Sequence, residues 1–182
     1  MDWTSIAADP EKIEISEEAV RQIERHGVTL FALDSASIAV SKAASHWRYY
    51  FPGGLTDALW FISEVSDASM AQAFVDTKAQ DLSQVISIRF QQNTELKKFV
   101  RRVMLYDFCH PTQAIARMQR TARIMYACTG TIEAPNRARV LGLNLYYTLL
   151  VMVWLIDTRM TKRLNDFLVG ILASRDKLDP KN

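Results

Sequence analysis

The sequence predicts an all-α protein, one helical bundle of about eight to nine helices, on three observations. Glycine and proline are scarce, 6 and 5 among 182 residues, while Ala, Leu, Met, Arg, Lys, Glu and Gln recur throughout, the composition of helices and not of turn-rich sheets. Apolar residues return at three-to-four-residue spacing along most of the chain, as one buried helical face requires. At 49% hydrophobic the chain can bury one substantial core, but it is short for two full domains.

Taken in order, Ser16 is a candidate cap or opening residue for a first helix. Its apolar positions Ile13, Ile15, Ala19, Val20 and Ile23 lead to His26-Gly27, where glycine permits a left-handed stop. Residues 28–40 and 41–51 read as two short helices before Pro52-Gly53-Gly54, the sharpest break in the chain. A long amphipathic helix is expected from about Thr56 to the Thr77-Lys78 region, carried by Leu55, Leu59, Ile62 and Val65. Asp81 is placed to cap the next, and Leu82 to Tyr106 hold one or two helices broken near Asn93-Thr94. His110-Pro111 opens another helix that runs through Ile115, Met118, Ala122 and Met125 to Gly130.

Pro135 introduces the least ordinary stretch. From Val140 to Ile156 only Asn144 and Thr148 are clearly polar, with Arg139 and Asp157 at the ends. Its length falls at the lower limit of the roughly 17 to 25 residues that span a bilayer, so a membrane crossing is the minor reading. A helix apolar on every face in a soluble protein belongs in a core, at a subunit interface or around an apolar ligand. The last expected helix, Arg159 to Ser174, sets Leu164, Phe167, Leu168, Ile171 and Leu172 on one stripe before a polar tail. The organisation is one continuous domain, with an amino-terminal part over 10–54 and a larger bundle over 55–175.

Net charge is only +2, far from the balance that makes nucleic acid an obligatory partner. Acids crowd the start of the chain, and Lys97, Lys98, Arg101, Arg102, Arg117, Arg120, Arg123, Arg137 and Arg139 crowd its middle, which predicts a solvated basic face there. The two cysteines, Cys109 and Cys128, have no close spacing and no ligand cluster around them, so neither a disulfide framework nor a metal site is expected. The first residues lack the basic and apolar regions of an export signal. A cytoplasmic protein is therefore expected.

No phosphate-cradling glycine loop, H-E-x-x-H or G-x-S-x-G elbow occurs. His26, His46 and His110 fall on separate elements. No enzymatic activity, catalytic residue or cofactor is expected.

Ala19 to Gly27, two short helices and then Trp47-Arg48-Tyr49-Tyr50-Phe51-Pro52 resemble the amino-terminal helix-turn-helix of TetR-type regulators. Such a head reads DNA with basic and polar side chains, and here Lys42, Ser45, His46 and Arg48 are the candidates. Residues 28–60 balance Lys42 and Arg48 against Asp34 and Asp57. Since phosphate neutralisation supplies most non-specific DNA affinity, the expectation is a degenerate helix-turn-helix on a TetR-like scaffold, with DNA not the partner. A TetR-type transcriptional regulator with an apolar effector is the alternative.

A second resemblance covers more of the chain. Phe51-Pro52-Gly53-Gly54 followed by Asp57, Leu59, Phe61, Asp67 and Met70, then Leu141 to Leu150 with Tyr147-Thr148, and Thr161 through Phe167-Leu168, is similar to the bacterial branch of the Coq-nine family of ubiquinone-biosynthesis accessory proteins. The resemblance implies a homodimeric lipid-binding protein that does no chemistry itself. It implies an isoprenoid quinone precursor or other lipid as ligand, a ubiquinone-biosynthesis hydroxylase as partner, and peripheral contact with the inner membrane. The segment Glu133 to Val140 lacks the aromatic pair found at the family's hydroxylase-binding surface, which makes that partner the weakest implication. The two apolar helices by themselves suit core or dimer packing as well as a pocket, and the resemblance turns the expectation to a lipid pocket with Leu141, Leu145, Tyr146, Leu149, Met152 and Val153 facing Leu164, Phe167 and Leu168.

Overall fold

Asp9 accepts a hydrogen bond from the Glu11 amide at 2.9 Å and Pro10 stands at the first helical position, so the first helix starts two turns before Ser16. In the computed structural model, which describes residues 1–130 and 136–156, this helix is α1, Pro10–His26. Ser16 lies inside it and returns its hydroxyl to the Lys12 carbonyl at 2.8 Å, the bond a serine makes within a helix and not at its cap. Gly27 ends α1 with φ 79°, as expected.

The remaining helices are α2 Leu30–Ser41, α3 Trp47–Tyr50, α4 Leu55–Asp76, α5 Leu82–Gln92, α6 Lys97–Cys109, α7 Pro111–Thr129 and α8 Arg137–Ile156. A 3-10 turn at Trp3–Ser5 precedes them, and the described residues contain no strand. The all-α bundle of about eight helices is therefore the observed fold. The anticipated break near Asn93-Thr94 separates α5 from α6, and Asp81 caps α5 in a reciprocal box with Gln84. The expected helix over Arg159–Ser174 lies outside the described residues.

One expectation fails at residues 41–51, where Ser41 closes α2 and only Trp47–Tyr50 form a helix of their own. Ser37 donates its hydroxyl to the Ala43 carbonyl at 2.6 Å and accepts the Trp47 amide at 3.1 Å. These side-chain bonds replace a turn of helix, and Lys42 takes a left-handed φ of 62° at the end of α2.

The long helix α4 is the spine. Ala58, Phe61 and Val65 pack into a cluster with Ile15, Leu33, Trp47 and Phe51 from α1 to α3. Met70 and Phe74, near its other end, join Val85 and Ile86 of α5, Met125 of α7 and Leu143 and Leu150 of α8. Leu59 and Ile62 meet Ile23 of α1 and Phe99 of α6. Helix α6 thereby bridges α1 and α7, and the space it leaves beside α4 becomes the site.

Candidate functional site

Between α4, α5, α6, α7 and α8 lies a cavity of about 330 Å³. Its walls are mostly apolar: Leu59 and Ile62 from α4, Phe99 and Val103 from α6, Ala114 and Met118 from α7, and Val151 and Met152 from α8. Phe108, Ile115 and Met152 line it while remaining solvent-exposed, so they mark its mouth.

Into this greasy space project two buried arginines. Arg89 on α5 and Arg117 on α7 are each 6% exposed and both line the cavity. Arg89 is anchored through Nη2 to Asp67 Oδ1 at 3.0 Å. Asp67, only 1% exposed in the middle of α4, also accepts from Arg120 Nη2 at 2.9 Å and from the Thr121 hydroxyl at 3.0 Å. Arg120 extends the chain outward, reaching Glu64 Oε1 at 2.7 Å and lying 4.9 Å over the Trp60 ring. One carboxylate thus ties α4 to both α5 and α7, as buried charges demand.

Arg117 pairs through Nη2 with Asp107 of α6. Burial pushes the Asp107 carboxyl above its ordinary value, with Arg117 and His110 acting in the opposite direction. Burial likewise raises the Tyr147 phenol, which lines the cavity from α8, while the charge and hydrogen bonding of Arg89 oppose the rise. Even so, Arg89 Nε and Nη1 and Arg117 Nη1 have no hydrogen-bond partner that meets strict geometry.

The structure redistributes the residues expected to bind lipid. Met152 lines the cavity, but its neighbours there are Tyr147, Thr148 and Val151. Leu141, Leu145 and Leu149 are exposed and do not line it, because a helix that is apolar all round gives no periodicity to mark its inner face. Tyr146 packs against the core formed by α4, α5, α7 and α8, and Val153 is half-buried. Leu164, Phe167 and Leu168 lie outside the described residues. The predicted basic face is corrected too. Arg117 and Arg120 turn inward to Asp107 and Asp67, while Arg101, Arg102 and Arg123 stay exposed.

Of the DNA-reading candidates, Lys42, Ser45 and Arg48 are exposed, and His46 Nε2 sits 3.1 Å from Glu11 Oε1. Their helix α3 has 4 residues, a rise of only about 6 Å at 1.5 Å per residue. Among the described residues no three His, Cys, Asp or Glu side chains converge as a metal site would require. Cys109 and Cys128 are both free thiols.

Sequence reasoning missed Arg89, Asp67 and the inward turn of Arg117. A signal existed for the last: Ala114, Arg117, Thr121 and Met125 follow one buried stripe of α7. Asp67 sits likewise among buried Ile62, Val65, Ser66 and Met70 on α4, where an acid demands a buried cation. No protein-family model, curated protein or solved structure matches this chain.

Proposed function

We propose that this chain is a lipid-binding accessory protein that holds and presents an apolar small molecule without chemistry of its own, its setting being the handling of quinone precursors in ubiquinone biosynthesis. The observation that carries the reading is the apolar cavity of about 330 Å³. At about 24 cal/mol per Å³, a hollow of this size left empty in a sealed core would forgo about 8 kcal/mol, an upper bound because the mouth admits solvent. That is comparable with the whole net stability of a typical domain, about 5 to 15 kcal/mol. A protein that keeps such a space has a use for it.

The volume also limits the guest, since it stands at the low end of the roughly 300 to 1,000 Å³ typical of small-molecule sites. A head and a short stretch of chain fit inside, and a longer isoprenoid tail leaves past Phe108, Ile115 and Met152. The quinone setting rests on the resemblance around Phe51 to Gly54 and along Leu141 to Leu150.

A homodimer is part of the same reading. Leu141, Leu145, Leu149, Met152 and Ile156 form an exposed apolar line along α8, with Met152 at its junction with the cavity mouth. The helix is 20 residues long with mean hydropathy 1.6 and passes, by length and composition only, as a membrane-spanning candidate. Peripheral contact with a bilayer belongs to the proposal on that ground.

The test is organic extraction and native mass spectrometry of the purified protein. A co-purifying lipid at near one per chain is the expected result. A protein that arrives empty and takes up no quinone-like or acyl lipid overturns the reading. Steeply salt-dependent binding to duplex DNA would favour the regulator instead.

A further inference from the structure

The cavity is not uniformly greasy, and its polar part is lopsided. Of the ionisable side chains on its wall, Arg89 and Arg117 face a single carboxylate, Asp107. Behind the wall Asp67 is shared between Arg89 and Arg120, and Arg120 draws its second partner, Glu64, from the more exposed side. Arg89, Arg117 and Arg120 thus stand against Asp67, Asp107 and Glu64, a network balanced in number whose third carboxylate lies at its exposed end, away from the cavity wall. Burial raises the Asp107 carboxyl while Arg117 and His110 pull it down. Buried guanidinium nitrogens short of acceptors are costly, and Nε and Nη1 of Arg89 and Nη1 of Arg117 make no well-formed hydrogen bond, with the Tyr147 phenol the neutral oxygen beside Arg89.

Both guanidiniums open onto the one cavity. Arg117 and Thr121 stand one turn apart on the buried stripe of α7, and Thr121 shares Asp67 with Arg89. Tyr147 brings a phenol from α8 to the same wall. All the unmet groups are donors. What they lack is an acceptor that brings negative charge, and the apolar walls around them call for a hydrocarbon attached to it.

We propose that the ligand is a single-chain amphiphile with a carboxylate head. The head accepts hydrogen bonds from Arg89 and Arg117 at the inner wall, and the tail runs between α4, α6 and α8 towards the mouth at Phe108, Ile115 and Met152. Guanidinium forks suit this task, because they offer paired donors that match the two oxygens of a carboxylate. This assignment rests on the carrier reading above and narrows it from any apolar guest to an acidic one.

Calorimetric titration of the purified, delipidated full chain tests it, with dodecanoate, its methyl ester and dodecylamine as probes of equal tail length. Dodecanoate is expected to bind at least about tenfold more tightly than the ester, the worth of one charge-assisted contact, and the amine more weakly still. The paired variant Arg117→Gln with Asp107→Asn removes both charges and leaves a hydrogen-bonding pair. It is expected to bring acid and ester within about threefold of each other, chiefly through loss of acid affinity. Arg117→Lys, which keeps charge but loses the fork, is expected to fall between and guards against a folding failure in the double variant. Equal binding of acid and ester to the unmodified protein, or a preference untouched by both variants, overturns the carboxylate head and leaves the carrier reading standing. Failure of all three probes to bind overturns the carboxylate head, and the carrier reading falls with it where the protein also arrives empty and takes up no quinone-like lipid.

Discussion

Replacing Asp67 by leucine probes the link on which the bundle depends. The side chain is 1% exposed and bonds Arg89, Arg120 and Thr121. Arg120 keeps Glu64 after the change, and the Thr121 hydroxyl can turn to its own helix backbone. Arg89, 6% exposed, is left as a buried cation with no counter-charge. Removing one partner of such a pair costs about 3 to 5 kcal/mol, a third or more of the stability of an ordinary domain. At about 2 to 4 °C per kcal/mol for a chain of this size, the melting temperature should fall by roughly 6 to 20 °C. Adding Arg89→Met should restore most of the loss, because an apolar pair of similar volume is often as stable as the ion pair it replaces. Urea unfolding of the wild type, both single variants and the double variant gives the coupling directly. If Asp67→Leu costs less than about 1 kcal/mol, or if the two losses add instead of cancelling, the idea that Asp67 staples α4 to α5 and α7 is wrong.

Ala114→Phe places a ring in the cavity from α7; lipid uptake should drop at least about tenfold while stability changes by less than about 1 kcal/mol, since the ring enters vacant space, and undiminished uptake would locate the guest elsewhere. Gly54 has φ 68°, and the nearest side-chain atom to an added Cβ, Leu30 Cδ2, would stand 3.7 Å away; Gly54→Ala should thus cost about 1 to 2 kcal/mol through backbone strain alone, read as a shift in urea midpoint. The Tyr50 phenol donates to Glu11 at 2.9 Å and its pKa is pushed up from 10.0 to about 12 by desolvation and by that bond. Because the folded value is the higher one, this contribution is intact below pH 10 and is lost as pH climbs through about 12; subtracting the ultraviolet titration of Tyr50→Phe from that of the wild type should isolate a phenol ionising late, and a difference curve centred near 10 would refute it. Leu145→Glu puts a charge on the exposed line of α8 and should reduce a dimer to monomers by light scattering, whereas an unchanged mass would show that self-association uses another surface.

The helices were legible in the sequence where local chemistry agreed with packing. Gly27, Asp81, Pro111 and Gly130 end or start helices as their residue types dictate. Reading failed where a side chain had more than one local option. Ser16 and Ser37 satisfy backbone groups inside and beside helices, and the Ser37 bonds shorten α3 to a single turn. The candidate site was legible as a class, an apolar space beside the greasy helix, but its lining was not. With nearly every position of α8 apolar, only tertiary contact decides that Val151 faces inward and Leu145 outward. Charge misled in the opposite direction. Counting Arg117 and Arg120 by sequence places them in solvent, whereas the acids that hold them inside, Asp107 and Asp67, stand on other helices.

Arg89 belongs to two structures at once, since it closes the Asp67 junction and also lines the hollow. Whatever occupies the hollow therefore touches a beam of the frame. Filling it should tighten the grip between α4, α5 and α7, by an amount that grows with the logarithm of guest concentration. Cargo and scaffold would report on each other, so that a protease offered the empty and the laden protein should find the first easier to open.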